Sequence, residues 1–351
     1  MMSRTLDAIF ETNKVLAAPN AYGLDDEAHC TLHGESCRVN PIEPGVAKKL
    51  SLLTGGMTCL DFCAFGQRAG FSGASTKPCL SFGGSYSGDN VDLGVVECAP
   101  DWKPDLFQDA PRHVLHPCHP RPCPSSFGWG FTRKRFYGLI VSKNRRLVES
   151  WADFSEPFLK DVSMNGHAFF CDEPENIDEE LRTAAARIAS SVLDGETLNF
   201  EDHTLIASEQ RRLATYRGIH QKKLDNLRAA GKPVPNGFEH ILADLHHNPE
   251  KRMRMSSTGR VVGMLKHGCI WSERFRRSMT KREVLSLQGW PTIPRAHGSA
   301  FSFPWSHMLD EMTTSQVYSL TGNGMHLNVL MLVLAWGLAC TEPAVDVEPE
   351  V

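Results

Sequence analysis

Two residues whose types can do chemistry stand just after apolar runs. Cys59 follows the run 50–54 and the turn Gly55-Gly56, and Glu97 ends the run 91–97. If both runs are strands of one mainly parallel sheet, the two side chains lie at its carboxyl edge, where open α/β folds bind ligands. A thiolate there can act as a nucleophile, and a carboxylic acid can protonate or hydrogen-bond a heterocycle. A buried structural cysteine and a salt-bridged or capping glutamate are the alternatives.

Alternating arginines follow the glycine turn at 128–130. A strand here places Arg133 and Arg135 on one face, from which both can reach a single ligand. The alternative is an edge strand with ordinary surface charges. The turn Gly322-Asn323-Gly324 opens an apolar helical tract. We expect its backbone amides to seat a small ligand, and a plain loop-to-helix junction is the alternative.

Histidines and cysteines are dense in one short segment, and soft nitrogen and sulfur ligands at this density can hold zinc. The spacing fits no common zinc finger, and four prolines at 117, 120, 122 and 124 favour a rigid loop. We therefore expect no metal site and keep zinc as an alternative. Its ligands would come from His113, His116, Cys118, His119 and Cys123, with Cys59 and Cys63 elsewhere.

Composition limits the class of protein. The chain has 351 residues, with 41% hydrophobic and 22% charged residues, which excludes collagen-like and disordered classes. The longest apolar run, 327–340, is too short for a bilayer, so we expect no membrane span. The first residues lack the apolar core of a secretory signal, which favours an intracellular protein with reduced thiols. The 11 cysteines are then candidate nucleophiles or ligands rather than disulfides.

The net charge of −4 hides a strongly basic region. Residues 210–282 contain 17 lysine and arginine residues against five acidic residues, a charge of +12, and the remainder carries −16. This density suits a surface that contacts a phosphate backbone. The alternative is a solvated helical face whose acidic partners lie elsewhere.

The pattern of elements changes along the chain. Residues 6–16 and a final tract at 322–340 are compatible with helices, and the runs 50–54, 91–97 and 136–141 predict buried strands. Helical spacing marks 179–193 and 202–230, the second broken by prolines at 233 and 235, and a further helix is expected over 238–246. Thr280 and Glu283 form a capping box for a short helix that Gly289 ends.

Taken together, five segments resemble the motifs of the cytosine-5 DNA methyltransferases in the right order. Cys59 stands in the place of that family's Gly-Pro-Pro-Cys nucleophile, with both prolines replaced. Glu97 keeps the acid of its Glu-Asn-Val motif, and the segment 131–135 keeps both arginines of Gln-x-Arg-x-Arg. The remaining two matches are Arg277, Thr280 and Glu283 with Gly289-Trp290-Pro291, and Gly322-Asn323-Gly324-Met325.

The resemblance implies S-adenosylmethionine-dependent methyl transfer to carbon 5 of a flipped-out cytosine in DNA. Cys59 would add to carbon 6, Glu97 would hold the ring nitrogen, and Arg135, with Arg133, would contact the carbonyl oxygen. Gly322, Asn323 and Gly324 would touch the cofactor. RNA is the less favoured substrate, and a nuclear location follows if the substrate is genomic DNA.

The resemblance also implies an α/β, Rossmann-like methyltransferase sheet, incomplete at its amino end. Residues 1–48 contain no Phe-x-Gly-x-Gly turn and form a poorly defined segment. The catalytic part would span 49–150 and 276–341, with a mainly helical basic target-recognition insertion at 151–275 and a frayed tail at 342–351. Either a partner chain then completes the cofactor pocket, or the polypeptide is a fragment, or catalysis has been lost. The alternative function is an inactive, methyltransferase-like protein that binds nucleic acid.

Overall fold

The structure is a computed structural model of the chain. It describes residues 27–30, 35–38, 50–57, 69, 82, 91–102, 113–161, 164–189, 204–235, 238, 240–293, 303 and 306–344. The helix predicted over 6–16, both cysteines at 59 and 63, and the end of the tail at 345–351 lie outside these residues. The protein has a mixed α/β fold, as the sequence predicts.

Internal contacts divide the chain into two compact units. The first comprises Met1–Pro122, Lys134–Phe158 and Val329–Val351, and the second comprises Cys123–Arg133 and Leu159–Asn328. These boundaries differ from the segments expected from the sequence. The assignment of those segments to catalysis and target recognition stays a prediction.

A four-stranded sheet forms the centre of the first unit. Its strands are β3 (Leu52–Gly56), β4 (Leu93–Cys98), β7 (Phe136–Ser142) and β5 (His113–Pro117), in that spatial order. Every residue of β4 is buried, which explains its unbroken apolar run. The three predicted strands are confirmed.

The expectation of mainly parallel strands is wrong. Among the described strands of this sheet only β3 and β4 pair in parallel, and β7 pairs antiparallel with both β4 and β5. A parallel neighbour needs a crossover of a dozen or more residues, usually a helix. Between β5 and β7 the chain forms only a one-turn 3-10 helix, Pro124–Phe127, and the short strand β6 (Phe131–Thr132). The chain therefore returns antiparallel.

Shorter elements complete the first unit. The strands β1 (Glu27–Cys30) and β2 (Glu35–Arg38) form an antiparallel pair, and helix α1 spans Trp151–Ser155. Strand β8 (Arg145–Leu147) pairs antiparallel with β14 (Thr341–Pro343). The prediction of a tail frayed from residue 342 is therefore wrong for Glu342 and Pro343, because backbone pairing orders them.

The second unit combines helices with an antiparallel sheet. Its two longer helices are α2 (Pro174–Ala189) and α3 (Ala207–Ala229), which confirm the two helical tracts. The sheet has the order β10, β9, β12, β13, formed by Met255–Ser256, Leu242–Asp244, Ile270–Ser272 and Arg277–Ser278. The helix predicted over 238–246 is wrong, because β9 lies there with all three residues buried between two strands.

In the described residues after β13 the chain forms four helices. They are α4 (Lys281–Leu287), α5 (Ser306–Glu311), α6 (Thr314–Asn323) and α7 (Leu327–Ala339). The predicted final helix at 322–340 is thus confirmed only from residue 327. The capping box at α4 is confirmed, since Thr280 Oγ1 accepts from the Glu283 amide at 3.2 Å.

The segment Thr314–Ala339 is long and apolar enough, by length and composition alone, to cross a membrane. It contains two helices of 10 and 13 residues with a break between them, each shorter than the roughly 20 residues that a span needs. In the first unit α7 packs closely on the sheet, because a Cβ at Gly337 would stand 2.6 Å from Leu139 Cδ1. The indole of Trp336 donates to the Glu149 carbonyl at 2.9 Å.

Candidate active site

The ends of two parallel strands meet beside Glu97. Gly56, the last residue of β3, is in register with Glu97 on β4. The Met57 amide then donates to the Glu97 carbonyl at 2.7 Å, which continues the pairing by one residue. Only Thr58 separates Met57 from Cys59 in the sequence. Met57, the last described residue of this segment, therefore lies beside Glu97, and Cys59 itself is outside the described residues.

Glu97 is held in an ion pair with Arg135. Arg135 Nε lies 3.1 Å from Glu97 Oε1, and the two side chains are 20% and 5% exposed. A carboxylate this deeply buried needs a charged or hydrogen-bonded partner, and the guanidinium supplies one. The pair places a carboxylate acceptor and guanidinium donors side by side. Such a set can bind the edge of a heterocycle that has both a ring nitrogen and a carbonyl oxygen.

Arg133 does not share that arrangement. It belongs to the second unit, is buried, and donates to four backbone carbonyls there. The acceptors are Met264 at 3.4 Å, Thr321 at 3.2 Å, Gly322 at 3.0 Å and Gly324 at 2.8 Å. The prediction that Arg133 and Arg135 share one strand face is wrong, because 133–135 lie between β6 and β7 and outside any strand.

The Gly322-Asn323-Gly324 turn has a different geometry from the one predicted. Gly322 and Asn323 form the last turn of α6, where carbonyls rather than amides lack helical partners. Arg133 takes up those carbonyls, and a Cβ at Gly322 would overlap the Lys266 backbone nitrogen. The expected seat of helix amides is therefore wrong. Asn323 is exposed, and its side-chain amide could hydrogen-bond the polar groups of a cofactor such as S-adenosylmethionine.

The motif of Arg277, Thr280 and Glu283 is a buried structural network. Arg277 donates two hydrogen bonds of 2.7 Å to Glu283, which has no exposed surface. Thr280 Oγ1 donates to the Asp172 carboxylate at 2.6 Å, and the Asp172 backbone amide donates to the Glu283 carboxylate at 3.0 Å. This network joins β13, α4 and the chain before α2. It positions elements of the second unit.

The histidine and cysteine segment is used in packing. His113 Nε2 is hydrogen-bonded to the Val91 carbonyl at 2.8 Å, and Cys123 Sγ lies 3.2 Å from Ser125 Oγ. Burial raises the pKa of the Cys118 thiol well above its ordinary value, which disfavours the thiolate. Within the described ranges, no three His, Cys, Asp or Glu side chains are grouped closely enough to hold a metal ion.

Sequence reasoning missed His326. Its side chain is 1% exposed and lies between aromatic rings, 5.3 Å from Trp129 and 6.0 Å from Phe131 by ring centroids. Burial, together with the nearby Arg133 guanidinium, lowers the pKa of His326 to about 3. The residue is therefore neutral at physiological pH. A lone histidine between Met325 and Leu327 gives no sequence signal for this position.

Comparisons with known proteins give similarity to solved structures only. No family model matches the sequence, and no curated protein matches it. The chain is similar to a DNMT2 mutant of Spodoptera frugiperda, at 13% identity over 82% of this chain and 78% of that one, with a TM-score of 0.36.

Two further structures are described as methyltransferases. EhMeth of Entamoeba histolytica has 10% identity over 82% of this chain and 76% of its own, with a TM-score of 0.37. The Dnmt2 methyltransferase of S. pombe has 12% identity, with 82% and 77% coverage and a TM-score of 0.36. Similarity at this level does not define a function, which has to be argued from the site.

Proposed function

We propose that the protein transfers a methyl group to carbon 5 of cytosine in DNA, with S-adenosylmethionine as the donor. One observation carries the proposal: the buried Glu97–Arg135 pair lies beside Met57, which precedes Cys59 by two residues in the sequence. In the proposal, the Cys59 thiol acts together with this carboxylate and guanidinium. This is the set of groups that attack on a pyrimidine ring requires.

Each of these residues has a chemical task in the proposal. The Cys59 thiolate forms a bond to carbon 6, and Glu97, in its protonated form in the substrate complex, gives its proton to ring nitrogen 3 as electron density moves into the ring. Arg135 donates to the carbonyl oxygen at carbon 2 and balances the charge of Glu97. Carbon 5 becomes nucleophilic and takes the methyl group from the sulfonium, which leaves as a thioether. The carbon 5 proton then passes to water, the bond from sulfur to carbon 6 breaks to restore the thiolate, and the proton on nitrogen 3 returns to Glu97.

S-adenosylmethionine, when bound, supplies a methyl group on a sulfonium sulfur. Among the described residues, we assign Asn323 to bind S-adenosylmethionine. Its side chain is exposed, and Arg133 holds the carbonyls of the neighbouring residues Gly322 and Gly324. A partner chain that completes the cofactor pocket is part of the proposal. The cytosine has to leave the base stack, since its reacting carbon is inaccessible in a duplex. Action on genomic DNA would place the protein in the nucleus.

The test compares two nearby cysteines. Transfer of radiolabelled methyl groups to DNA is measured for the parent, Cys59→Ser and Cys63→Ser. We expect Cys59→Ser to abolish transfer while DNA binding persists, and Cys63→Ser to retain most of it. A DNA strand with 5-fluorocytosine should form a covalent complex with the parent and with Cys63→Ser only, because fluorine blocks the final loss from carbon 5.

The carboxylate is tested in the same assay. We expect Glu97→Gln to lower the rate at least about 100-fold, since general acid catalysis contributes on the order of 10²–10⁴. Asp101→Asn is the matched control, because Asp101 is an exposed carboxylate in the adjoining loop. Full activity in Cys59→Ser would refute the proposal. DNA binding by the parent without any methyl transfer would favour the inactive nucleic-acid-binding protein instead.

A further inference from the structure

An open groove lies within the second unit, away from the residues discussed above. It has a volume of about 420 Å³ and is formed by α3, the segment that follows β10, and the edge of β6. Strand β11 (Val261–Val262) pairs in parallel with β6 and forms part of its floor. The volume suits a ligand of about the size of one nucleotide.

The groove is positively charged. Lys223 of α3 and Arg260 line it and both are exposed, and among the described residues that line it none is acidic. Within the described part of the chain, no carboxylate forms an ion pair with Lys223. Two exposed cations at one groove create a local field that attracts an anion.

Three consecutive residues with hydroxyl groups line the groove, and in the sequence they lie between Lys223 and Arg260. They are Ser256, Ser257 and Thr258, and the turn that carries them has Gly259 at a φ of +71°. A side chain at Gly259 would meet Asn165 at 2.7 Å, so the turn is held close against its neighbour. Ser256 Oγ lies 3.1 Å from Thr258 Oγ1. Hydroxyls presented in this way are common partners of phosphate oxygens.

One aromatic ring completes the lining. Phe238 is half-buried and packs on His220, with ring centroids 5.4 Å apart and an angle of 31° between the planes. His220 is buried, and its Nδ1 lies 3.3 Å from Ser257 Oγ. The histidine thus supports both the Phe238 ring and the hydroxyl turn. A supported ring at the wall of a cationic groove is a platform on which a base can stack.

We propose that this groove binds one unstacked nucleotide of a single-stranded DNA segment. The phosphate contacts Lys223, Arg260 and the hydroxyls at 256–258, and the base stacks on Phe238. The proposal goes beyond methyl transfer and does not depend on it. A cationic groove with one aromatic platform binds nucleotides with little sequence preference, because every base has a π-face.

The experiment measures equilibrium binding of a fluorescent, single-stranded 12-nucleotide DNA that contains no cytosine, without any cofactor. The test variant is Lys223→Ala with Arg260→Ala. Its matched control is Lys222→Ala with Lys232→Ala, which removes the same charge from two exposed lysines that do not line the groove. We expect the test variant to bind at least about tenfold more weakly and the control less than twofold more weakly.

Phe238→Ala examines the base contact. Loss of one stacking interaction should weaken binding about tenfold, and an abasic strand should bind parent and Phe238→Ala equally. Lys223→Arg should retain the affinity of the parent. Circular dichroism of each variant shows whether it is folded, and inorganic phosphate is the second ligand tested.

Two results would overturn the proposal. Equal weakening by the test and control variants would mean that diffuse charge, rather than the groove, binds DNA. The groove would be a simple anion site if Phe238→Ala bound the DNA as tightly as the parent and inorganic phosphate displaced the DNA equally well from both proteins. Because the strand lacks cytosine and no cofactor is present, neither result depends on whether the protein methylates DNA.

Discussion

Arg133 and Gly324 are joined by a 2.8 Å hydrogen bond from Nη2 to the glycine carbonyl, although 191 residues separate them in the sequence. The same guanidinium reaches three other carbonyls of the second unit. Arg133 therefore fixes the end of α6 against the segment that contains Met264. The turn Gly322-Asn323-Gly324, which resembles a cofactor-binding motif, is therefore fixed by Arg133, which resembles a residue that contacts the base.

We predict that Arg133→Lys lowers the free energy of unfolding by about 2–4 kcal/mol. A lysine cannot reach all four acceptors, and hydrogen bonds from charged groups contribute roughly 1.5–3 kcal/mol each without adding fully. The measurement is urea unfolding followed by tryptophan fluorescence. Lys134→Ala is the control, because Lys134 is exposed, and it should change stability by less than about 0.5 kcal/mol. A loss below about 1 kcal/mol in Arg133→Lys would contradict this role.

The buried Arg277–Glu283 pair leads to a second prediction. Glu283→Gln should lower the free energy of unfolding by about 3–5 kcal/mol, because it leaves a buried guanidinium without its compensating charge. Glu179→Gln, at an exposed position of α2, should have little effect. The double variant Arg277→Met with Glu283→Leu should recover part of the loss. Equal free energies of unfolding for Glu283→Gln and Glu179→Gln would show that the ion pair is dispensable.

The buried His326 predicts how stability changes with pH. Its folded-state pKa of about 3 lies below the value near 6.5 of an unfolded chain. Between these values the unfolded state binds more protons, so stability falls as pH falls from about 6.5, by up to about 1.4 kcal/mol per pH unit from this residue. At pH 7–8 the histidine is neutral in both states and contributes no slope.

We therefore expect His326→Gln to have a smaller loss of stability than the parent between pH 6.5 and pH 4.5. Urea titrations at half-unit intervals measure both slopes. The slopes of parent and variant must coincide at pH 7–8, which serves as the internal control. Identical slopes below pH 6 would mean that His326 becomes protonated in the folded protein.

Two glycines should respond in opposite ways to the same change. Nothing lies within 4 Å of a Cβ at Gly218 in α3, so Gly218→Ala should stabilise the protein by roughly 0.5–1 kcal/mol through helix propensity. Gly322→Ala forces a methyl group against the Lys266 backbone and should cost about 1–3 kcal/mol. Thermal unfolding of both variants checks the pair. A destabilised Gly218→Ala would be inconsistent with an open site.

Local patterns predicted the elements whose causes are local. The capping box at Thr280, the end of α3 before Pro233 and the buried run of β4 each depend on a few neighbouring residues. The direction of β7 depends on what the chain does between two strands, and the place of Arg133 depends on acceptors from 131 to 191 residues away. No short window of sequence contains that information.

The basic excess shows the same limit. Counting charges in 210–282 treats every arginine as available, but several are used inside the second unit. Arg217 pairs with Glu273 at 2.8 Å, and Arg277 is buried with Glu283. The local count missed Glu283, because it lies one residue beyond the stretch that was counted. Only side chains such as Lys223, which remain exposed, contribute to an external surface.

The pairing of β8 with β14 has a consequence for the order in which the protein folds. Thr341 accepts hydrogen bonds from Arg145, 196 residues earlier in the chain. During synthesis this pairing has to wait until the chain has left the ribosome as far as residue 343, and contacts so distant in sequence form slowly. The first unit is consequently the last to be completed. Until then the backbone edge of β8 is without its partner, which makes the nascent chain a candidate for chaperone binding.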